Sequence, residues 1–184
     1  MDSRARLHAE LTGFLRQHCP VRDQRHLVLL AWMVAGLSLS ETVCFDRWKT
    51  RLPMTRCLAA SWQRRCQRWL SNRRIDVEAL YGPLIVWAIQ HWQNPGHTLH
   101  LALDTTMLWN RFCVVVLSVV CHGRAIPLLW QTLEHPSASV SAEVVIGLLE
   151  RTERLLAGCS AITVLADRAF PSAELLGWFD GRSR

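Results

Sequence analysis

Two aspartates end apolar, strand-like stretches of this sequence, and their residue type suits metal chemistry. Asp104 follows the alternating leucines of residues 99–103, and Asp167 follows the mainly apolar residues 162–166. Carboxylate oxygens are the ligands that Mg²⁺ and other hard divalent cations prefer. If the two strands lie side by side in one sheet, the carboxylates meet although 63 positions separate them. Taken singly, each has a plainer explanation, Asp104 as a turn cap and Asp167 as an ion-pair partner of Arg168.

The elements that would position these aspartates change from strand to helix and back in residues 98–184. Runs of period two and β-branched residues predict three consecutive strands, which an amphipathic helix and a fourth strand follow. A helical crossover returns the fourth strand parallel to an earlier one, with a right-handed connection. We therefore expect an α/β fold with a mixed sheet and the element order β-β-β-α-β-α. Its predicted elements are strands 99–108, 112–121 and 126–133, helix 142–158, strand 161–167 and a helix that starts near Pro171.

The preceding residues, 1–97, carry the periodicity of helices. We expect several short helices, among them one that starts at a Ser40 cap and stops before Pro53, and a last one that Asp76 caps. Another of these predicted helices, over residues 55–72, places large and sulfur-containing side chains along one stripe: Leu58, Trp62, Cys66 and Trp69.

The positive charge is concentrated in the same helical region. Residues 1–97 hold 14 Lys+Arg against seven Asp+Glu, whereas residues 98–184 hold seven against eight. This asymmetry indicates a front portion that meets a polyanion. Exposed arginines bind phosphates without reading sequence, so we predict DNA contacts by Arg64, Arg65, Arg68, Arg73 and Arg74. The plainer alternative is a solvated helix face over a Trp-rich core.

Cysteine spacing and the length of apolar runs argue against several classes of protein. The seven cysteines are scattered without a CxxC pair, which favours burial as small hydrophobes over a zinc site or a disulfide framework. The longest apolar run, residues 27–39, is shorter than the roughly 20 residues of a transmembrane helix. The N-terminus is charged and lacks the apolar core of a signal peptide. We therefore expect a cytoplasmic protein with no membrane partner.

Two motifs carry a resemblance to a known family. "LALDTTML" (residues 101–108) and "TVLADRAF" (163–170) resemble the first and second catalytic motifs of the IS4-like family of DDE transposases, the second usually written D-R-G-F or D-R-G-Y. The resemblance implies a ribonuclease-H-like mixed sheet, here as a partial DDE catalytic domain over residues 98–184. It implies a helical, basic DNA-binding region over residues 1–97. Ala169 stands where the family commonly has glycine, which can strain the turn.

The resemblance also implies an activity and its cofactor. A transposase of an insertion sequence binds double-stranded DNA at transposon ends and target sites, and it cleaves and joins strands during transposition and recombination. Asp104 and Asp167 would be the catalytic residues and would hold two Mg²⁺ ions, or Mn²⁺ in their place. Arg168 would brace Asp167 or contact a DNA phosphate, with a structural salt bridge as the alternative. Because such enzymes bring two DNA ends together, a homodimer is a further expectation.

The family's third carboxylate is a glutamate in a Y-x-x-R…E-type motif on a later helix. Glu174 is the only glutamate beyond Asp167, and a separation of seven positions is too short for that role. We therefore expect a chain that is truncated before the third ligand and is inactive alone in DNA cleavage. Two other functions stay open, a non-catalytic DNA-binding or inhibitory fragment and a metal nuclease that acts on RNA–DNA hybrids.

Overall fold

Helices come first along the chain, and the β-sheet follows them. The computed structural model describes residues 3–48, 50–52, 59–92, 96–159 and 161–182. The chain divides into two compact units, residues 1–84 and 85–184, and the division falls inside the fifth helix. None of the helices described is both long and apolar enough to cross a membrane.

The described residues before the sheet form five helices. Asp23 caps the second helix by accepting a hydrogen bond from the backbone N–H of Arg25 (3.1 Å). Asp76 Oδ1 accepts from the backbone N–H of Ala79 (3.0 Å), which confirms the predicted cap of the fifth helix. The bounds are α1 Ser3–His18, α2 Gln24–Ser40, α3 Phe45–Trp48, α4 Ala59–Leu70 and α5 Val77–Trp92.

The predicted helix start at Ser40 is wrong, because Ser40 is the last residue of α2. Its hydroxyl donates to the carbonyl oxygen of Gly36 (2.6 Å), one turn earlier in the same helix. Glu41 then takes the left-handed conformation (φ 53°) and donates its N–H to the carbonyl of Leu37 (2.8 Å), which ends the helix. Pro53, the predicted stop, lies outside the described residues.

Two groups of buried side chains hold the first unit together. Both draw on α2, whose residues are apolar almost all around the helix. Gly36 is required where α2 meets α3, because a Cβ there would lie 2.9 Å from the Trp48 ring. One group contains Met33, Ala35, Trp48, Leu52, Trp62 and Cys66, and the other contains Leu15, Cys19, Leu27, Ala31 and Leu80.

Four described strands form one mixed sheet in the spatial order β3-β2-β1-β4. Antiparallel pairing joins β1, β2 and β3, whereas β4 pairs parallel to β1. The predicted α/β class, mixed sheet, element order and parallel return of the fourth strand are confirmed, and the earlier strand beside which it returns is the first. The bounds are β1 Leu99–Leu108, β2 Phe112–Cys121, β3 Arg124–Leu133, α6 Ala142–Leu155, β4 Ile162–Ala166 and α7 Ala173–Asp180.

The predicted start of β3 is two residues too late. His122 (φ 49°) and Gly123 (φ 73°) are both left-handed, so they form a two-residue hairpin loop. Arg124 therefore already pairs with Cys121 and belongs to the strand.

The two faces of the sheet differ in burial. Along β1, Leu99, Leu101 and Leu103 are buried, and the intervening residues point to the opposite face. Leu101, Leu149 of α6 and Trp178 of α7 line one cavity of about 380 Å³, so both helices lie on the leucine side. Asp104 belongs to the other side and is exposed.

Candidate metal site and basic helix face

The strand register brings Asp104 and Asp167 to the point where β1 and β4 stop pairing. The last residue pair between the two strands is Leu103 with Ala166; the next residue is Asp104, still within β1, on one side and Asp167, directly after β4, on the other. Parallel strands in one sheet lie about 4.8 Å apart, and residues at the same register position point to the same face. The register therefore makes Asp104 and Asp167 neighbouring positions in the sheet.

Asp104 is held by the chain next to it. It is exposed, and its Oδ1 accepts a hydrogen bond from the backbone N–H of Thr105 (2.8 Å). Val116 of β2 faces it across the antiparallel ladder. The ladder with β2 therefore holds the backbone at Asp104, one residue beyond the last pair that β1 makes with β4. The Thr105 hydrogen bond leaves Oδ2 for a ligand.

Asp167 begins a tight turn that connects β4 to α7. Its carbonyl oxygen accepts a hydrogen bond from the N–H of Phe170 (3.0 Å), so Arg168 and Ala169 occupy the middle of the turn. Ala169 has a negative φ, since it is absent from the left-handed residues of the described chain. The strain that we expected from alanine at this position does not arise. Arg168 and Asp167 are both exposed beside the neighbouring strand end.

The described residues supply two carboxylates where β1 and β4 stop pairing. No group of three or more His, Cys, Asp or Glu side chains within them is arranged to hold a metal ion. Glu174 lies in the first turn of α7 and is exposed. The donor chemistry of the two aspartates fits a hard divalent cation, which also takes water and phosphate oxygens as ligands.

A second cluster of charged residues lies on α4. Six exposed residues line an open groove of about 540 Å³, and we call them the α4 basic face: Ser61, Arg64, Arg65, Gln67, Arg68 and Ser71. Ser71 stands just after the helix, and the other five belong to it. The helix contains no Asp or Glu. Arg73 and Arg74 are exposed in the turn that follows. All five predicted DNA-binding arginines of this region are therefore accessible to a ligand.

The opposite side of α4 anchors the helix. Trp62 and Cys66 are buried, and the Trp69 indole donates to the carbonyl oxygen of His26 in α2 (3.1 Å). The Trp62 ring meets Trp32 edge-on at 6.4 Å between ring centroids. This packing fixes the rotation of α4, so the arginines face outward.

Burial makes several cysteines poor ligands and nucleophiles. It raises the pKa of the Cys66 thiol to about 11, and it raises the pKa of Cys19 and of Cys113 as well. These thiols stay protonated at neutral pH, and the thiolate is the reactive and metal-binding form. Their chemistry therefore agrees with a packing role.

The sequence reasoning missed two features of these surfaces. Ser61 and Gln67 of α4 and Ser71 just after it join the arginines, and each stands three positions from an arginine, which was available as a signal. The cavity on the leucine side of the sheet was not foreseeable, because residues from β1, β4, α6 and α7 meet there.

Comparisons with protein-family models, with curated proteins and with solved structures give no match for this chain. The chemistry open to it must therefore be argued from its own residues. These offer two aspartates at neighbouring positions of the sheet and a row of arginines on a helix without Asp or Glu.

Proposed function

We propose that this chain is a protein of the DDE transposase type, which binds duplex DNA and takes part in metal-dependent cleavage and joining of DNA strands. The observation that carries the proposal is the parallel register of β1 and β4, which makes Asp104 and Asp167 neighbours. The accessible arginines of α4 support a polyanionic partner.

We also propose that the sheet belongs to the ribonuclease-H-like class. An antiparallel meander, a helical crossover and a parallel fourth strand beside the first strand agree with that class. Fold alone does not define function, so the weight of the proposal rests on the aspartates.

Asp104 and Asp167 are the residues that would hold the divalent cation. A bound Mg²⁺ or Mn²⁺ supplies charge stabilisation to the attacking and leaving oxygens of phosphoryl transfer. Asp104 contributes from a strand that β2 pairs at this position, with its carboxylate accepting a hydrogen bond from the Thr105 N–H. Arg168 offers a guanidinium next to Asp167, where a DNA phosphate would need a donor.

A second function is favoured by the number of carboxylates at the site. Two exposed aspartates hold a divalent cation more weakly than a closed set of ligands, and no third His, Cys, Asp or Glu joins them within the described residues. A non-catalytic or inhibitory protein that binds the same DNA would retain the α4 basic face and lose the chemistry.

The metal site is tested by Mn²⁺ titration of the purified chain, followed by electron paramagnetic resonance. We expect weak Mn²⁺ binding, and Asp104→Asn and Asp167→Asn should each reduce the affinity by about tenfold or more. Loss of a ligand should cost at least as much affinity as loss of a residue that only orients a ligand. Asp180→Asn is the matched control, because Asp180 is an exposed aspartate of α7. Equal binding by all four proteins would remove the metal site from the proposal.

The two functions are separated by incubating the chain with duplex DNA and Mn²⁺. Nicking that Asp104→Asn and Asp167→Asn abolish would support catalysis by this chain. DNA binding without nicking, unaffected by either substitution, would support the non-catalytic function. Preferential cleavage of an RNA–DNA hybrid would favour a nuclease instead.

A further inference from the structure

The residues of the α4 basic face do not all occupy equivalent positions on the helix. On a helix with 3.6 residues per turn, Arg64, Gln67, Arg68 and Ser71 form one continuous row. That row is opposite the stripe of Trp62, Cys66 and Trp69, which packs into the first unit. Arg65 lies to one side of the row.

We propose that α4 is a recognition helix that enters the major groove of duplex DNA and reads base edges through Arg64, Gln67 and Arg68. The inference rests on the proposed function, because it assumes that duplex DNA is the partner. The major groove admits one α-helix, and α4 (Ala59–Leu70) is about 18 Å long.

The residue types in the row match the donor and acceptor pattern of bases. Arginine contacts guanine O6 and N7 with two hydrogen bonds, and glutamine contacts adenine N6 and N7 in the same way. The Arg68 Nε donates to the carbonyl oxygen of Arg64 (3.4 Å), so its two terminal amino groups remain for a base edge.

Arg65 has the geometry of a backbone contact. Its guanidinium carbon lies 5.9 Å from the centroid of the Trp62 ring, and this cation–π contact keeps the charge to the side of the row. Arg73 and Arg74 follow in the exposed turn after α4. These three arginines would meet phosphates on either side of the groove and position the helix.

The composition of the face favours duplex DNA over other polyanions. A membrane-surface helix needs apolar side chains next to its cations, and the α4 basic face consists of arginine, glutamine and serine. The deep major groove of A-form RNA is too narrow for side chains to read.

The experiment is selection of bound duplexes from a random-sequence double-stranded library by the purified chain at fixed salt. We expect a short consensus that includes guanine. Arg64→Lys and Arg68→Lys keep the charge but lose the planar fork, so each should still retain DNA while losing preference at one position. On the selected duplex, Arg64→Ala, Gln67→Ala and Arg68→Ala should each weaken binding by about tenfold or more.

Two controls separate base reading from charge. Arg65→Ala should weaken binding to all duplexes alike. It should also lower the slope of log affinity against log salt concentration by about one. Arg16→Ala removes an exposed arginine of α1 and should change affinity much less than Arg65→Ala does.

The outcomes distinguish the recognition helix from the function on which it rests. Retention of DNA without any enriched consensus, or a consensus unchanged in the lysine variants, would overturn the recognition helix and leave DNA binding intact. Failure to retain duplex DNA would overturn both proposals. Tighter binding to double-stranded RNA or to anionic phospholipid vesicles would show that duplex DNA is not the ligand of the α4 basic face.

Discussion

The α4 basic face and the Asp104–Asp167 pair are both exposed and charged, yet the chain builds them in different ways. On α4, all the arginines of the face lie within two turns of one helix, and a single apolar stripe orients them. Asp104 lies in β1 and Asp167 directly follows β4, and β2, β3 and α6 separate the two in sequence.

This difference shows which parts of the molecule each surface depends on. The α4 basic face requires one helix to form and to dock on α2. The aspartate pair requires the sheet to hold its register, because a slip of one residue would turn one carboxylate to the other face. Damage to the sheet core should therefore disturb the aspartates first, and damage to α4 docking should disturb DNA binding first.

The largest effect is expected from the core of the sheet. Leu99 is 1% exposed, so Leu99→Ala should lower the free energy of unfolding by about 3 kcal/mol through lost burial and a residual cavity. Leu165 on β4 is 49% exposed, and Leu165→Ala should change it by about 0.5 kcal/mol or less. Urea unfolding measures both. Similar losses in the two variants would mean that Leu165 of β4 is as well buried as Leu99 of β1, contrary to their difference in exposure.

A smaller effect is expected from the anchor of α4. Trp69→Phe removes the indole N–H that donates to the His26 carbonyl and should cost about 1 kcal/mol. The same change at Trp109, whose side chain is 85% exposed, serves as the control and should cost little. Thermal unfolding gives the stability change, and duplex binding by Trp69→Phe should weaken while Mn²⁺ binding persists. Loss of Mn²⁺ binding instead would show that the two surfaces are not independent.

A modest pH effect is expected in the helical unit. Burial lowers the pKa of His8 below its ordinary 6.5, while its Nε2 lies 3.2 Å from the Val28 carbonyl and its ring stacks on Trp32 at 3.7 Å. Above pH 6.5 the residue is neutral in both states. As the pH falls through 6.5 toward the folded pKa, the unfolded chain takes up the proton more readily, so the free energy of unfolding decreases.

The test is unfolding of His8→Phe and of the unsubstituted protein at several pH values. Phenylalanine keeps a ring against Trp32 and cannot titrate. Its unfolding free energy should fall less steeply below pH 6.5, and parallel pH profiles would contradict the assignment to His8.

The smallest effect is expected where α7 meets α6. Arg182 pairs with Glu153 (2.8 Å) and Glu150 (3.7 Å) and stacks on Trp178, but its side chain is 40% exposed. Arg182→Gln should therefore cost about 0.5 kcal/mol. Arg154→Gln, at an exposed arginine of α6, is the control. Chemical denaturation compares them, and a cost of several kcal/mol would mean that this contact holds β4 in place.

Much of the fold could be predicted because its signals are local. β1 and β2 have the predicted bounds, and Asp76 caps α5 as expected. The wrong predictions lie at the ends of helices and strands, where a few hydrogen bonds decide at which residue the element starts or stops. Ser40 bonds back to Gly36 and closes a helix instead of opening one, and the left-handed pair at 122–123 lets β3 start early.

The candidate sites likewise combine features that local sequence patterns predict with features that they do not. The amphipathic pattern by itself determined that α4 buries its tryptophans and exposes its arginines, because side chains three and four residues apart share a helix face. The sequence also determined that each aspartate follows an apolar run of strand residues. Only the tertiary structure decided that β4 lies beside β1 with Leu103 opposite Ala166. That register comes from backbone hydrogen bonds and packing between residues distant in the chain, which no local spacing encodes.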